Sequence, residues 1–96
     1  MRVSGEFSAQ HPALAGHFPG NPIVPGVLIV SRVCSAVACA HGGAVAAVPA
    51  VKFHAPLRPC ESFDIDVEPA GAGRYRFKVA RGDTLIATGI VHAAGA

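Results

Sequence analysis

The chain has 96 residues, of which 51% are hydrophobic and 15% are charged, and its formal net charge is +2. This length predicts one domain, residues 1–96, and the shortage of polar groups predicts that a homodimer interface covers part of its surface. The sequence has no basic run and no patch of interleaved aromatic residues, so nucleic acid is not an expected partner.

The three cysteines, Cys34, Cys39 and Cys60, form no pair with zinc-ligand spacing. Their odd number, in a sequence that opens without a secretory signal, predicts reduced thiols in the cytoplasm and neither a metal nor a disulfide. Cys34 and Cys39 fall in an apolar segment and are expected in the core. The apolar stretch Val27–Val51 contains Arg32 and Pro49, and Gly42 and Gly43 interrupt it before the ~20 residues that a membrane span needs, so no membrane span is expected.

The predicted elements begin with a short strand within Met1–Phe7. A loop rich in proline and glycine follows, and it leads into a helix over Val27–Ala40 that Pro25 and Gly26 open and Gly42 closes. Apolar residues occur on all sides of this helix, which is typical of a helix surrounded by protein.

After the helix, the hydrophobic period changes to two, which indicates antiparallel strands. Symmetric pairing of two charged strands about a loop at Gly71 predicts three cross-strand pairs of opposite charge: Glu68 with Arg74, Asp66 with Arg76, and Asp64 with Lys78. We interpret these charges as structural, fixing the strand register, in preference to a docking site for an acidic carrier protein. A turn at Gly82-Asp83 precedes a last strand, and the order of the elements predicts an α+β domain.

Two segments resemble a known family. Gly16–Val30, with the sequence GHFPGNPIVPGVLIV, resembles the signature of the hotdog-fold 3-hydroxyacyl-acyl-carrier-protein dehydratases, and Val51–Pro59, VKFHAPLRP, resembles the strand and turn that follow their helix. The resemblance implies a hotdog fold, in which an antiparallel sheet of about five strands wraps around one central helix. It also implies acyl thioesters of an acyl carrier protein or coenzyme A as substrates, with no cofactor.

By this resemblance His17 is the general base that removes the α-proton of a 3-hydroxyacyl thioester, and the backbone N–H of Gly26 binds the thioester carbonyl. Phe18, Pro25 and Val27 flank these two positions and are expected to contact the substrate. Physical chemistry agrees with the role of Gly26, because the free amides at a helix N-terminus stabilise negative charge that develops on a carbonyl oxygen.

The sequence departs from the family pattern at Ser31, which stands where the family has a Glu or Asp that reaches the site from the other subunit. Elimination of water needs a proton for the leaving hydroxyl, and the loss of a general acid typically removes ~10²–10⁴ in rate. Ser35 stands where a glutamine is often found. No other carboxylate of the sequence is expected to replace the missing acid.

Three functions therefore remain open. The first and favoured one is a dehydratase-like enzyme, weak alone or completed by an acid-bearing hotdog chain in a heterodimer. The second is a non-catalytic subunit that binds an acyl chain or its carrier, which the serines at 31 and 35 favour. The third is an acyl thioesterase, which would need a carboxylate or an activated water near the helix start, where the sequence has no carboxylate.

Overall fold

In the part of the chain that the structure describes, a five-stranded antiparallel sheet packs one face against one helix. The structure, a computed structural model, describes residues 2–7 and 23–93. Its elements in chain order are β1 (Arg2–Gly5), α1 (Gly26–His41), β2 (Val45–Phe53), β3 (Phe63–Pro69), β4 (Arg74–Arg81) and β5 (Thr84–Ala93). The strand order is β1-β3-β4-β5-β2, and α1 contacts β2, β3 and β5. The predicted α+β architecture is therefore confirmed.

The ends of α1 follow from residues that cannot continue a helix. Pro25 at the N-terminus has a ψ of 140°, outside the helical region, and its carbonyl accepts the amide of Leu28 at 3.0 Å. At the other end, Gly42 adopts the left-handed conformation with a φ of 78°, and its N–H donates to the carbonyl of Ala38 at 2.9 Å. The helix thus begins and ends within one residue of its predicted bounds.

The core lies between α1 and the inner face of the sheet. Side chains at i, i+4, i+7 and i+8 of the helix are buried, and they meet the buried alternate residues of the central strands. The largest side chains that are almost fully buried are Leu57, Phe63, Ile65, Phe77 and Ile86. Each such side chain contributes about 1.5–3 kcal/mol by its removal from water.

The helical period also explains where the cysteines lie. Cys39 is exposed and Cys34 is half-buried, so the expected core position is wrong for Cys39. Cys39 is only two residues beyond the buried Val37, and a two-residue step on a helix leads to the opposite side. Burial raises the pKa of the Cys34 thiol.

The register between β3 and β4 differs from the predicted one by two residues. Asp66 faces Lys78 and Glu68 faces Arg76, whereas Asp64 faces Ala80 rather than a cation. A shift of two preserves the face on which each side chain lies, so the predicted charged face exists but its pairs are different.

The turn between these strands explains the shift. Pro69 continues β3 and pairs with Tyr75, so the hairpin is symmetric about Ala72. Gly71 and Gly73 on either side of Ala72 both have a positive φ, 127° and 67°, which a glycine adopts at little cost. Symmetry of the sequence predicts a centre at Gly71 instead.

The strand β2 forms one edge of the sheet. Its Val51 is 40% exposed and its Phe53 is 47% exposed, and Val27 at the start of α1 is 72% exposed. These three are the large hydrophobic side chains that are exposed among the described residues. The described part of the chain contains no helix long and apolar enough to cross a membrane.

Candidate active site at the helix N-terminus

The start of α1 opens onto an apolar pocket. The cavity has a volume of about 450 Å³, and its walls come from the residues before the helix, the first turn of the helix and the turn that follows β2. The lining residues are Ile23, Val24, Gly26, Ile29, Phe53, His54, Ala55, Pro56 and Leu57. Such a cavity, lined by apolar side chains and ending on backbone amides, suits an acyl chain with a polar head.

Gly26 and Phe53 are in direct contact at the mouth of this pocket. A β-carbon added to Gly26 would stand 2.7 Å from Cζ of the Phe53 ring and 3.1–3.2 Å from its two Cε atoms. The phenyl ring thus occupies the space that any other residue at position 26 would need. The absence of a side chain at Gly26 therefore lets Phe53 lie against the helix start.

Among the described residues the Gly26 amide has no hydrogen-bond acceptor, whereas the Leu28 amide in the same turn donates to the Pro25 carbonyl. Pro25 makes no side-chain cap, and the first turn contains no acidic residue that would occupy the positive end of the helix dipole. The first amides of any α-helix lack partners within the helix. The Gly26 end of α1 can therefore donate a hydrogen bond to a carbonyl oxygen in the pocket.

Several hydrogen bonds hold the turn that forms the far wall of the pocket. The Val24 N–H donates to the carbonyl of Leu57 at 2.8 Å, which ties the segment before the helix to this turn. One carboxylate oxygen of Glu61 accepts the Arg58 backbone N–H at 2.8 Å and a guanidinium N–H of Arg81 at 2.9 Å. These bonds, the backbone one first, hold the pKa of the Glu61 carboxyl below its ordinary value, and they mark Glu61 as a structural residue.

The structure brings together some of the predicted site residues. His17 and Phe18 lie outside the described residues. Gly26 is the first residue of α1 and lines the pocket, Pro25 precedes it and is half-buried, and Val27 points its side chain outward, away from the pocket lining.

Ser31 lies on the exposed side of α1. The Ser35 hydroxyl, one turn later, donates to the carbonyl of Ser31 at 3.2 Å. The next residue, Arg32, turns its guanidinium onto the Phe7 ring, 4.5 Å from the centroid, and makes no ion pair among the described residues. Among the described residues no carboxyl group accompanies position 31, and the Arg32 guanidinium does not release a proton near neutral pH.

The carboxylates of the chain lie elsewhere. All six belong to the described residues, and none lines the pocket at Gly26. Three project from β3 on the sheet face opposite α1, Glu61 is bound in its turn, and Glu6 and Asp83 are exposed. The described part of the pocket thus contains an amide donor but no carboxylic acid.

Sequence reasoning assigned no role to Phe53 or to the turn at residues 54–57. The resemblance of Val51–Pro59 to the family concerns this segment only as a strand and turn. Gly26 indicates only that a neighbouring group can approach the helix start closely, because glycine has no side chain. The identity of that neighbour depends on tertiary packing.

The fold and the site together define a hotdog-fold protein, as predicted. The family model described as ApeI-like, ApeI dehydratase, matches residues 1–90, and the chain belongs to this family. It is also similar to 3-hydroxyacyl-[acyl-carrier-protein] dehydratases FabZ. The protein from Natranaerobius thermophilus is 36% identical over 95 residues, which are 85% of this chain and 67% of that protein. The protein from Chloroflexus aggregans is 35% identical over 79 residues, 71% of this chain and 55% of that protein.

The chain thus spans 67%, 55% and 54% of the first three curated relatives that it matches.

Solved structures agree on the fold. The dehydratase heterocomplex ApeI:P from Xenorhabdus doucetiae superimposes with a TM-score of 0.81 at 21% identity, covering 95% of this chain and 83% of that one. The fluoroacetyl-CoA-specific thioesterase FlK gives a TM-score of 0.76 at 13% identity, with coverage of 95% and 84%.

Proposed function

We propose that this protein contributes the base and the carbonyl-binding amide to a site that dehydrates 3-hydroxyacyl thioesters to 2-enoyl thioesters. The observation that carries the proposal is the Gly26 end of α1, which opens onto an apolar pocket in a chain of the ApeI-like dehydratase family. The FabZ relatives act on acyl groups held by an acyl carrier protein, and we extend that substrate class to this chain.

In the proposed reaction, the His17 imidazole takes a proton from the α-carbon of the acyl group. The electron pair of the broken C–H bond moves toward the thioester carbonyl oxygen, which the Gly26 N–H stabilises by hydrogen bonding. A double bond then forms between the α- and β-carbons as the C–O bond at the β-carbon breaks. The hydroxyl leaves as water after it accepts a proton from an acid.

The acid is the component that this chain does not place at the pocket. Ser31 is exposed, and the pocket lining contains no carboxylate. A serine hydroxyl is a far weaker proton donor than a carboxylic acid, so a site with serine alone would be slower by about 10²–10⁴. We therefore propose that an acid-bearing hotdog chain completes the site.

The surface of the chain supports an assembly of this kind. β2 is an edge strand with unpaired backbone groups, and exposed Val51 and Phe53 lie on it close to the helix start. A partner that pairs with this edge would lie beside Gly26. The ApeI:P dehydratase of Xenorhabdus doucetiae, whose chain shares this fold, is a heterocomplex. A homodimer is the other assembly that the same edge permits. The three cysteines have free thiols, which fits a reaction in the cytoplasm.

A non-catalytic subunit that binds the acyl group is the second candidate. The observation that favours it is the same Ser31, because a chain that needs only to bind a thioester has no use for an acid. Product analysis separates the two functions, since a dehydratase yields an enoyl thioester and a binding subunit leaves the thioester unchanged. A thioesterase would release the free acid and the thiol.

The decisive experiment restores the acid. Ser31→Glu is expected to raise the hydration of a 2-enoyl thioester by at least about tenfold, because it supplies the proton donor that the site lacks. Adding His17→Ala to this variant should abolish the gain. Ser62→Glu, which places the same charge on an exposed turn outside the pocket, should give no gain. A folded Ser31→Glu protein without increased activity would contradict the proposed site.

A mixing experiment tests the heterodimer. The protein is combined with an acid-bearing hotdog chain of the same family, and dehydration is followed together with the mass of the complex. We expect a complex with one copy of each chain and an activity greater than that of either chain alone. Equal activity of the mixture and of the separate chains, with no complex formed, would favour the non-catalytic subunit.

A further inference from the structure

One cation of β4 lies on the inner side of the sheet. The strand contains four cations, and side chains alternate between the two faces of a strand. The three on the outward face are exposed: Arg74, Arg76 and Lys78. Arg81, in contrast, follows the buried Phe77 and Val79 on the other face. Its guanidinium therefore belongs to the side of the sheet on which α1 and the pocket lie.

The guanidinium of Arg81 binds two groups of the turn beside the pocket. Residues 54–57 of this turn line the pocket, and we call them the pocket wall. Nη1 of Arg81 donates to the Pro56 carbonyl at 2.9 Å and to Oε1 of Glu61 at 2.9 Å. Both side chains of this ion pair are about one-third exposed (32% and 33%), so water screens it only in part. The same Glu61 oxygen accepts the Arg58 N–H, which closes the turn.

An irregularity in β5 anchors the beginning of the pocket wall. The register between β4 and β5 slips after Val79, and the slip leaves Ile86 without a facing residue on β4. The carbonyl of Ile86 accepts the N–H of His54 at 2.8 Å and that of Ala55 at 3.4 Å. Bulges of this kind are frequent beside functional sites, because they redirect the chain. The wall is thus bound to β5 through its first two amides and to β4 through Arg81.

One further hydrogen bond connects the pocket wall to the helix start. The Leu57 carbonyl accepts the Val24 N–H at 2.8 Å, and both side chains are almost fully buried. Only Pro25 stands between Val24 and Gly26, and its ring restricts φ, here −58°. A displacement of Leu57 would therefore also move the Gly26 amide.

We propose that Arg81 is a positioning residue of the pocket, which acts through Pro56 and Glu61 and sets the fit of the acyl chain against the pocket wall. This inference rests on the proposed function for the nature of the ligand. Arg81 is not among the residues that line the pocket, so it acts through the turn and does not touch the ligand. Without its guanidinium, only the bond from the Arg58 N–H remains of the three bonds that fix this turn.

The apolar character of the pocket wall decides which ligands should respond to Arg81. Ala55, Pro56 and Leu57 give the wall its apolar surface. The affinity of an acyl chain for such a surface grows with the apolar area that it buries. A long chain therefore depends on the position of the wall more than a short chain does, whereas a loss of folded protein would affect both chains equally. The dependence on chain length thus separates positioning from stability.

The test measures the Kd of two saturated thioesters, butyryl- and octanoyl-N-acetylcysteamine, by NMR titration of the full chain, because a saturated chain binds without reacting. Arg81→Gln is expected to raise the Kd of the octanoyl thioester at least about fivefold and that of the butyryl thioester less than about twofold. Arg81→Lys should recover part of the affinity, since an ammonium group can still donate to both oxygens. Arg76→Gln removes the same charge from the outward face of the same strand and should change neither Kd.

Hydrogen exchange, also followed by NMR, tests the same geometry without a ligand. The Val24 amide is expected to exchange at least about tenfold faster in Arg81→Gln than in the unmodified protein, because its acceptor on Leu57 becomes mobile. Amides in the centre of β4 should keep their rates, since a general loss of stability would accelerate them as well. Arg76→Gln should leave the exchange of Val24 unchanged.

Several outcomes would overturn the proposal. Equal losses of affinity for the two thioesters would assign Arg81 to stability alone, and unchanged exchange at Val24 would show that the wall does not move. The same effects in Arg76→Gln would reduce them to the loss of a charge. An unmodified protein that does not bind the octanoyl thioester would contradict the acyl pocket itself. Dehydration is measured separately, because a protein that binds this thioester and responds to Arg81→Gln without forming an enoyl product would contradict the proposed function alone.

Discussion

The ring of Phe53 and the α-carbon of Gly26 share one small space at the mouth of the pocket. A β-carbon at position 26 would lie 2.7 Å from the ring Cζ, a separation that the two groups cannot hold. The ring is 47% exposed and is the far end of its side chain, so it can swing aside where a buried ring could not. This contact joins the end of β2 to the beginning of α1.

We expect Gly26→Ala to displace the ring from the helix start and to stabilise the protein less than alanine in place of a helical glycine usually does. That usual gain in the free energy of unfolding is up to about 1 kcal/mol, because alanine restricts the unfolded chain. The part of this gain that is missing measures the cost of moving the ring. In a Phe53→Ala background, the same substitution should be more stabilising.

Urea unfolding of the unmodified protein, the two single variants and the double variant measures how far the effect of Gly26→Ala on the free energy of unfolding depends on Phe53. If Gly26→Ala stabilised both backgrounds alike, the two residues would not be in contact in solution.

A second close approach lies in the middle of the sheet at Gly89. An added β-carbon would overlap the carbonyl oxygen of Ala50 and stand 2.6 Å from Cε2 of Phe77, which is almost fully buried. Because the carbonyl belongs to the paired backbone of β2, it has little room to move. We expect Gly89→Ala to lower the free energy of unfolding by about 1–3 kcal/mol or more.

Gly42→Ala serves as the comparison for Gly89, since nothing lies within 4 Å of its added β-carbon and only its positive φ is unfavourable. That substitution should cost about 1 kcal/mol. Thermal unfolding of both variants is sufficient, and an equal or smaller cost at Gly89 would contradict the described packing.

The register of β3 and β4 can be tested through charge pairs. Glu68 faces Arg76 in the structure, whereas sequence symmetry sets it opposite Arg74. A double-mutant cycle with glutamines is expected to give a coupling free energy of about 0.2–1 kcal/mol for Glu68 with Arg76 and none for Glu68 with Arg74. The reverse result, measured by chemical unfolding at low salt, would support the symmetric register.

The elements of the fold were predictable because each has a local signal. Pro25 and Gly42 mark the ends of the helix, and the alternation of apolar and charged residues marks the faces of β3 and β4. The register was not predictable, because two glycines in a five-residue loop allow more than one turn and the charges tolerate a shift of two residues.

The candidate site, too, was only partly predictable from the sequence. The sequence motif pointed to the Gly26 end of the helix, and the structure places a pocket there. The contact with Phe53 and the wall at residues 54–57 join segments far apart in the chain, so no local pattern could reveal them. The position of the proposed base, His17, lies outside the described residues and stays a prediction.

Two carboxyl groups make the free energy of unfolding depend on pH in the acid range. The pKa of Asp66 lies below its ordinary value, first because of its hydrogen bonds from Arg2 and then because of the charges of Arg2 and Lys78. The pKa of Glu61 is also lowered, first by the hydrogen bond from the Arg58 backbone N–H and then by Arg81. A carboxyl with a lowered pKa in the folded state binds fewer protons than in the unfolded state. Its contribution to stability is thus complete above the ordinary pKa, near 4, and is lost as the pH falls through the lowered value.

We therefore expect the free energy of unfolding to decrease below about pH 4 and to decrease less in Asp66→Asn and in Glu61→Gln. Each variant lacks one of the ionisations, so its stability at neutral pH should be lower while its stability in acid approaches that of the unmodified protein. Glu68→Gln is the control, because its ion pair of 3.5 Å is exposed to solvent. Urea unfolding across the acid range measures all four proteins. If the Asp66 and Glu61 variants lost stability in acid as steeply as the control, neither carboxyl would be responsible for the acid sensitivity.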